Sequence, residues 1–277
     1  MVTKTLVLGG GGLAGIAWQT GVLAGLAAEG VDVAATADRL IGTSAGANAA
    51  AQIGSGLSLD ELFARQADPA RQNEELTPTG ISGHELLATL ERIARESADP
   101  VERRRRVGEF AVGAQTVGEA ERRAVITGRL PEPGWPARAL TVVAVDAATG
   151  ETRLFDAGSG VDLVDAVAAS SAVPGVWPPV TIGDRRYVDG GVRTMTNADL
   201  AAGADQVLVL APLPDSALQD DVAGLRRTAR VALLTPDEAS VAVFGIDPLN
   251  PAVRTPAAHA GLAQGREAVD AVRRVWE

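Results

Sequence analysis

The alternation of apolar and polar residues in the first fifty positions predicts two strands, each followed by a helix. Residues 3–8 form an apolar run typical of a buried strand, and the glycines at 9–12 end it. Residues 13–29 then carry apolar side chains at helical spacing. A second short strand at 38–42 precedes a helix of small residues at 45–53. This strand-helix-strand-helix order predicts a parallel sheet with right-handed crossovers.

The rest of the chain continues the alternation of strands and helices. Further strands are predicted at 139–146, 151–156, 180–182, 185–188 and 206–210. Further helices are predicted at 57–67, 84–97, 163–172, near 216–231 and at 257–276. No internal repeat and no low-complexity linker divides the sequence. The predicted architecture is therefore one α/β domain with a helical C-terminal extension.

Two segments in the middle of the chain are polar rather than periodic. Residues 68–83 contain two prolines and predict a loop that is a candidate lid. Residues 101–123 are rich in charge and include four consecutive arginines at 103–106. Such a charged run is interpreted either as the solvated face of a helix or as a basic patch for a partner.

The composition narrows the possible functions. The chain has 277 residues with 25 basic and 35 acidic side chains, and its net charge of −10 argues against a nucleic-acid groove and against docking on anionic lipid. Cysteine is absent and only two histidines, His84 and His259, are present, so we expect no metal centre and no cofactor. No stretch approaches the roughly 20 apolar residues of a membrane span, which predicts a soluble, cytoplasmic protein.

Two glycine-rich turns follow the first two predicted strands. Gly-Gly-Gly-Leu-Ala-Gly at 10–15 opens the first helix, where backbone amides can hold a phosphate or a developing oxyanion. Gly-Thr-Ser-Ala-Gly at 42–46 is a G-x-S-x-G match in the strand-to-helix context of a nucleophile elbow, with Ser44 as the exposed hydroxyl. The alternative is a glycine-rich turn in which Ser44 only caps the helix.

The spacing of these turns argues against nucleotide binding. A dinucleotide fold places an acidic residue at the end of the second strand, where this chain has the 42–46 turn instead. Because neighbouring parallel strands end at the same sheet edge, the amides of Gly10, Gly11 and Gly12 are predicted beside Ser44. That arrangement is an oxyanion hole next to a nucleophile.

The candidate base is a carboxylate. Asp189-Gly190-Gly191 follows the predicted strand at 185–188, although a plain turn is the simpler interpretation of an Asp-Gly pair. Neither histidine follows a strand, so a Ser44–Asp189 dyad is possible if the two side chains come within hydrogen-bond reach. Because aspartate is a weak base near pH 7, the site would have to raise its pKa, for instance by desolvation.

Four motifs, in this order, resemble the patatin-like phospholipase family. They are the run 6–23, the elbow 42–46, Ala-Ser-Ser-Ala-Val-Pro at 169–174 and Val-Asp-Gly-Gly at 188–191. The resemblance covers residues 4–210 and implies a three-layer α/β/α sandwich with a mostly parallel central sheet and metal-free lipid acyl hydrolysis. The site residues that it implies are the nucleophile Ser44, its partner Asp189, the oxyanion hole Gly10, Gly11 and Gly12, and the supporting motif residues Gly15, Gly42, Ala45, Gly46, Gly190 and Gly191.

The chain departs from the family pattern in its first motif. Ala14 stands where the family usually carries Arg or Lys, so this chain lacks the side-chain charge that the family places at the glycine loop. The spacing from Gly15 to Gly21 is also one residue longer than usual. Residues 211–277 match no motif, and we expect them to form a helical extension packed on the catalytic domain of residues 4–210.

The leading hypothesis is a serine hydrolase of the phospholipase A type that cleaves carboxylic esters of lipids. Its partners would be a lipid or acyl-ester substrate and, transiently, a membrane or micelle surface, but no nucleic acid. Trp177 is either part of an apolar docking loop or a packed aromatic. The alternatives are an acyltransferase that uses the same site, a catalytically weak lipid-binding protein and, least favoured, a nucleotide-binding module.

Overall fold

The computed structural model of the protein describes residues 2–78, 81 and 83–277. Within these residues, eight strands form one sheet. The strands are β1 (Lys4–Leu8), β2 (Arg39–Thr43), β3 (Ala139–Asp146), β4 (Thr152–Phe155), β5 (Val180–Ile182), β6 (Arg185–Asp189), β7 (Gln206–Leu210) and β8 (Arg230–Leu234).

Twelve α-helices connect and cover the strands in the described part of the chain. They are α1 (Gly12–Ala28), α2 (Val33–Thr36), α3 (Ala45–Gly54), α4 (Leu59–Ala67), α5 (Gly83–Glu96), α6 (Pro100–Gly113), α7 (Glu119–Arg129), α8 (Leu163–Ser170), α9 (Leu218–Leu225), α10 (Glu238–Phe244), α11 (Arg254–Glu267) and α12 (Val269–Trp276). Short 3-10 turns lie at Pro69–Arg71, Gly190–Val192, Ala198–Ala201 and Pro251–Val253.

The sheet is mixed, with a parallel centre. Its order is β5-β6-β3-β2-β1-β7-β8, and β4 pairs with β3 outside this path. Strands β3, β2, β1, β7 and β8 run parallel, whereas β4 and β6 pair antiparallel to β3. The parallel strands therefore bring the turns after β1 and β2 to one edge, as the strand-helix-strand-helix pattern predicts.

Helices cover both faces of the sheet, which makes three layers. Side chains alternate along each strand, so that Leu6 and Leu8 of β1 face one core while Val7 faces the other. The first core also contains Trp18 of α1 and buried residues of α3, α8 and α11. The second core packs α9 and the 198–201 turn against the sheet. The predicted α/β sandwich is confirmed.

Residues 211–277 contain a strand that the sequence pattern did not predict. The helix expected near 216–231 ends at Leu225, and Arg230–Leu234 forms β8 instead. The edge of β7 offers unpaired backbone groups, and pairing β8 in register with β7 satisfies them. The prediction that residues 211–277 form a purely helical extension is therefore wrong. The division of the chain into a catalytic domain that ends at residue 210 and an extension after it stays a prediction.

The two polar segments are built differently from each other. The charged run at 101–123 divides into α6 and α7. Arg105 and Arg106 pair with Glu102 of the same helix, whereas Arg103 and Arg104 donate to backbone carbonyl oxygens. One member departs from the solvated-face interpretation, because Arg122 is buried. The candidate lid at 68–83 contains a 3-10 turn at Pro69–Arg71, whereas Thr79, Gly80 and Ser82 lie outside the described residues.

Helix α11, the last but one in the described chain, lies in backbone contact with α1. A Cβ atom added to Gly261 would stand 2.3 Å from the Trp18 carbonyl oxygen, and one added to Gly21 would stand 2.2 Å from the Ala258 carbonyl oxygen. The indole N–H of Trp18 also donates to Gln264 Oε1 at 2.8 Å. Glycine on both helices therefore permits the approach that holds the end of the chain against the first helix.

We expect Gly261→Ala to lower the free energy of unfolding by about 2–3 kcal/mol, because the new methyl group must push α11 away from α1. Gly128→Ala in α7 is the matched control, since the nearest atom there lies 3.9 Å from the added Cβ. Urea denaturation of both variants measures the difference. A Gly261→Ala protein as stable as the control would contradict the close packing.

Candidate active site

Ser44 lies on a strained turn between β2 and α3. Its backbone adopts φ 54° and ψ −115°, a left-handed conformation that costs a non-glycine residue on the order of 1–3 kcal/mol. The flanking glycines permit the turn, because a Cβ atom at Gly46 would stand 1.9 Å from the Leu8 carbonyl oxygen. Ser44 is 8% exposed. The Ser44 side chain makes no cap hydrogen bond, so the turn has the strand-to-helix geometry expected of an elbow.

Side chains from α3 and the end of α8 hold this turn. Ser170 Oγ accepts a hydrogen bond from the Ser44 backbone N–H at 2.9 Å. Asn48 Nδ2 donates to the Ser44 carbonyl oxygen at 3.1 Å and to Ser171 Oγ at 2.9 Å. Ser170 and Ser171 belong to the 169–174 motif, which by itself predicts no role for either hydroxyl. Two adjacent serines at the end of an apolar helix were the available signal.

The glycine loop offers two amides rather than three. The Gly10 N–H donates to the Met195 carbonyl oxygen at 2.7 Å, so it is engaged within the fold. The Gly11 and Gly12 N–H groups donate to no backbone carbonyl among the described residues. Gly12 has φ +61°, and a Cβ atom there would stand 2.7 Å from the Pro248 carbonyl oxygen. These two amides lie at the N-terminus of α1, where the helix dipole favours negative charge.

Asp189 ends β6 at the same edge of the sheet. Asp189 pairs with Ala144 of β3, and the neighbouring Val143 pairs with Thr43, the residue before Ser44. One carboxylate oxygen, Oδ1, accepts from the Gly191 N–H at 2.7 Å. The turn after β6 is tightly packed, since a Cβ atom at Gly190 would stand 2.3 Å from the Val143 carbonyl oxygen. The strand order thus brings Asp189 to the same part of the sheet edge as Ser44, although the two residues are far apart in the sequence.

The Asp189 carboxyl group is desolvated. Burial raises its pKa to about 7, while hydrogen bonds from the Gly191 N–H and the Ser44 hydroxyl and the charge of Arg122 act in the opposite direction. The Ser44 hydroxyl lies near the Asp189 carboxyl group without a well-directed hydrogen bond to it. The second carboxylate oxygen of Asp189, Oδ2, is buried and has no hydrogen-bond partner among the described residues. Catalytic hydrogen bonds are often loose before substrate binds. Desolvation is the example that was given above of a cause that could raise the Asp189 pKa.

A residue that the sequence analysis missed connects the two turns. Asn197 is fully buried and has a left-handed backbone at φ 52°. Its Nδ2 donates to Thr43 Oγ1 at 3.0 Å and to the Gly190 carbonyl oxygen at 3.3 Å. A single amide therefore ties the residue before Ser44 to the residue after Asp189. No local sequence pattern marks such a bridge.

An apolar cavity of about 460 Å³ opens at Ser44 and Asp189. The glycine loop forms part of its wall, and most of the remaining wall is apolar side chain. Among these are Leu86, Leu90, Val107, Val173, Met195 and Leu249. This size lies within the usual range for sites that bury a small ligand. Ser44 therefore faces a space suited to a hydrocarbon chain.

Neither histidine lines the cavity at Ser44 and Asp189, whereas Trp177 lines a smaller cavity that also reaches Ser44. His259 packs edge-on against the ring of Phe63, and His84 is exposed at the start of α5. Trp177 is only 3% exposed, and the guanidinium of Arg122 lies 3.9 Å from the centre of its ring. Trp177 is thus the packed aromatic of the two alternatives and not part of an exposed docking loop.

The fold and this edge of the sheet define an α/β protein with a candidate serine-hydrolase site. The sequence profile of the patatin-like phospholipase family matches residues 6–202. The chain belongs to the patatin-like phospholipase family, whose members hydrolyse lipid ester bonds, and it is an enzyme of that hydrolase class. The resemblance seen in the sequence is therefore confirmed.

Two solved structures match the chain, and the first of them is similar in fold. VipD from Legionella pneumophila has a TM-score of 0.50 and 13% identity over 98% of this chain and 67% of that chain. The type III effector protein ExoU has a TM-score of 0.44 and 14% identity over 99% of this chain and 54% of that chain. No curated protein sequence matches the chain significantly.

In the described residues, no helix has the length and apolar character needed to cross a bilayer. The His, Asp and Glu side chains of these residues form no group of three or more suited to a metal ion.

Proposed function

We propose that the enzyme hydrolyses carboxylic esters of lipids through a Ser44–Asp189 dyad. The observation that carries this proposal is the strained elbow at Ser44, which faces an apolar cavity shared with the buried Asp189 carboxyl group. Ser44 Oγ attacks the ester carbonyl carbon while Asp189 accepts the hydroxyl proton. The proton then passes to the departing alcohol, which leaves an acyl group on Ser44. Water, activated by the same carboxylate, releases the fatty acid.

The amides of Gly11 and Gly12 hold the negative oxygen that forms on the carbonyl group during both steps. Each of these amides points its N–H from the start of a long helix, so the helix dipole adds favourable potential. Hydrogen bonds of this kind strengthen as charge develops and typically account for a 10²–10³-fold rate effect per donor. The Gly10 amide takes no part, because it already donates to Met195.

The acyl chain occupies the apolar cavity. Burial of hydrocarbon against leucine, valine and methionine side chains contributes roughly 25 cal/mol for each Å² removed from water. Helix α5 contributes Leu86 and Leu90 to the cavity and exposes 59% of Leu87 next to them. We propose that this exposed edge contacts a membrane or micelle transiently while a lipid enters.

The pH dependence of hydrolysis tests the assignment of Asp189 as the base. Only the ionised carboxylate accepts a proton, and its pKa is raised to about 7 by burial. We expect kcat/KM for a p-nitrophenyl ester to rise with pH through about 7 and to level off above it. A profile centred near the ordinary aspartate pKa of about 4 would contradict the assignment.

A further inference from the structure

Two non-glycine residues of the described chain have a left-handed backbone, and both lie at the candidate active site. Ser44 has φ 54° and Asn197 has φ 52°. This conformation is unfavourable for most residues, although asparagine tolerates it better than others, and it persists where the surrounding structure holds it. The strain at Ser44 presents the hydroxyl at the elbow, whereas the proposed reaction does not use the side chain of Asn197. The strain at Asn197 therefore needs an explanation of its own.

The Asn197 amide makes hydrogen bonds at both of its ends. Its Nδ2 donates to Thr43 Oγ1 at 3.0 Å, to the Gly190 carbonyl oxygen at 3.3 Å and to the Thr194 carbonyl oxygen at 2.8 Å. Its Oδ1 accepts from Arg193 Nη1 at 2.7 Å. A reversed amide would place its oxygen against two carbonyl oxygens and its N–H groups against the guanidinium. The amide therefore has one favourable orientation, which the Arg193 cation and the carbonyl oxygens define together.

Arg193 is held in turn by a carboxylate. Its Nη1 donates to Asp199 Oδ1 at 2.8 Å, and its Nη2 donates to Asp199 Oδ2 at 2.6 Å. The backbone N–H of Arg193 also donates to the Gly190 carbonyl oxygen at 3.0 Å. A bidentate pair fixes the plane of the guanidinium as well as its position. The side chains of Asp199, Arg193 and Asn197 thus form a continuous hydrogen-bonded series that ends at the turns of the dyad.

Arg193 lies outside the space for substrate. It is not among the described residues that line the two cavities at Ser44. The cation whose charge acts on the Asp189 pKa is Arg122 rather than Arg193. The hydrogen bond to the Asn197 amide is therefore the route by which Arg193 reaches the reacting groups.

We propose that Arg193 is a positioning residue that, through the Asn197 amide, fixes the separation between the two turns of the dyad. This inference rests on the proposed function, because it concerns the transfer of the Ser44 proton to Asp189. That transfer requires the two groups to come within about 2.6–3.2 Å of each other. A misplacement of about 1 Å costs about 10²-fold in rate. Without the guanidinium, the Asn197 amide loses its partner at one end, and the two turns drift apart while the apolar cavity keeps its walls.

Arg193→Met removes the guanidinium and keeps an unbranched side chain. We expect kcat for a p-nitrophenyl ester to fall by about 10–100-fold, whereas KM should change by less than about twofold, because Arg193 does not line the apolar cavity. Arg193→Lys, which keeps a charge and a donor, should recover part of the lost kcat. The midpoint of the pH profile should stay at about 7 in both variants. A shifted midpoint would show that Arg193 acts through its charge and would overturn the positioning role.

A double-mutant cycle with Asn197→Gly tests the route through the amide. Glycine accepts the left-handed backbone at position 197, so this variant loses the amide without added strain. We expect Asn197→Gly to lower kcat at least as much as Arg193→Met does. The double variant should be no slower than Asn197→Gly alone, because Arg193 then has no amide to hold. Losses in kcat that multiply in the double variant would place the action of Arg193 elsewhere and would overturn the inference.

Arg105→Met is the matched control. Arg105 also makes a bidentate pair, with the Glu102 carboxylate, but it lies on α6 and is not among the described residues that line the cavities at Ser44. Its kcat and KM should equal those of wild type. Fluorophosphonate labelling counts the competent sites in each preparation, so kcat is expressed per labelled site and a partly unfolded variant is not mistaken for a misaligned one. A wild-type kcat per labelled site in Arg193→Met would overturn the inference.

Asp199→Asn serves as the second variant if Arg193→Met does not fold. This change keeps Arg193 in the chain and removes the carboxylate charge that orients it. We expect kcat to fall by about threefold or more with KM unchanged, and a wild-type kcat would overturn the positioning role. The proposed function fails if Ser44→Ala still hydrolyses esters, whereas the positioning role fails if Ser44→Ala is inactive and the Arg193 and Asp199 variants turn over like wild type. The two failures are therefore distinguishable.

Discussion

Ser44→Ala is expected to abolish ester hydrolysis, with a fall in kcat of about 10⁴-fold or more. Ser44 Oγ is the only protein atom that forms a covalent bond with the substrate in the proposed reaction, so no acyl-enzyme can form without it. We expect the substitution to leave the packing of the fold unchanged, because the Ser44 hydroxyl faces the cavity. Release of p-nitrophenol from p-nitrophenyl esters measures the loss directly.

Covalent labelling gives a second measurement of the same prediction. A fluorophosphonate should add once to wild type and not at all to Ser44→Ala, as read from the intact mass. Ser216→Ala is the matched control, because Ser216 is exposed in the loop before α9. It should label and turn over like wild type. Equal labelling of wild type and Ser44→Ala would remove the nucleophile assignment, and with it the proposed function.

The parts of this site that follow a local pattern were predictable from the sequence. Glycines after a buried strand indicate a turn with exposed amides, and a serine flanked by glycines at a strand-to-helix junction indicates an elbow. Parallel strands then place the turns after β1 and β2 at one edge. Asp189 was a candidate because it follows a predicted strand and neither histidine does, but an Asp-Gly pair is common in loops, and the resemblance added the role of partner to Ser44.

The supporting residues were not predictable because their partners are distant in sequence. Asn197 acts across 154 positions on Thr43, and Ser170 acts across 126 positions on Ser44. Arg122 belongs to a charged run that favours a solvated face. Its spacing to Ile126 and Arg129 nevertheless places all three on one helix face, and all three are buried. That spacing was the available signal for a buried arginine.

The strand β8 was missed for a related reason. Arg230–Leu234 is short and apolar, a pattern that strands and buried helix segments share. Only the neighbouring edge of β7 decides between them, by offering unpaired backbone groups in register. The packing of α11 on α1 likewise depends on glycines that meet from opposite ends of the chain. Tertiary contacts, not local propensity, determine both features.

Asp189→Asn is expected to lower kcat by about 10³–10⁴-fold, because an amide cannot accept the Ser44 proton. The change keeps the size of the side chain, and the amide oxygen can still accept from the Gly191 N–H. KM should therefore change much less than kcat. A variant that retains more than a tenth of the wild-type rate would show that another group removes the proton.

The same substitution is expected to stabilise the fold at alkaline pH. Burial raises the Asp189 pKa from an ordinary 3.8 to about 7, so the folded state holds the proton more tightly than the unfolded state. The stability that this proton provides is fully present below pH 3.8, declines as pH rises towards 7 and is absent above it. Asparagine stays neutral at every pH, so the variant does not lose this folding stability as the pH rises.

Urea denaturation at about pH 4.5 and about pH 8 measures the effect. The stability of Asp189→Asn relative to wild type should be greater at the higher pH by roughly 3 kcal/mol, since each pKa unit corresponds to about 1.36 kcal/mol. An inactive variant that is more stable where the enzyme works best would identify the buried carboxylate as a group retained for catalysis at the expense of the fold. A relative stability that does not change with pH would contradict the desolvated carboxylate, and the proposed base would then lose the physical reason for its strength.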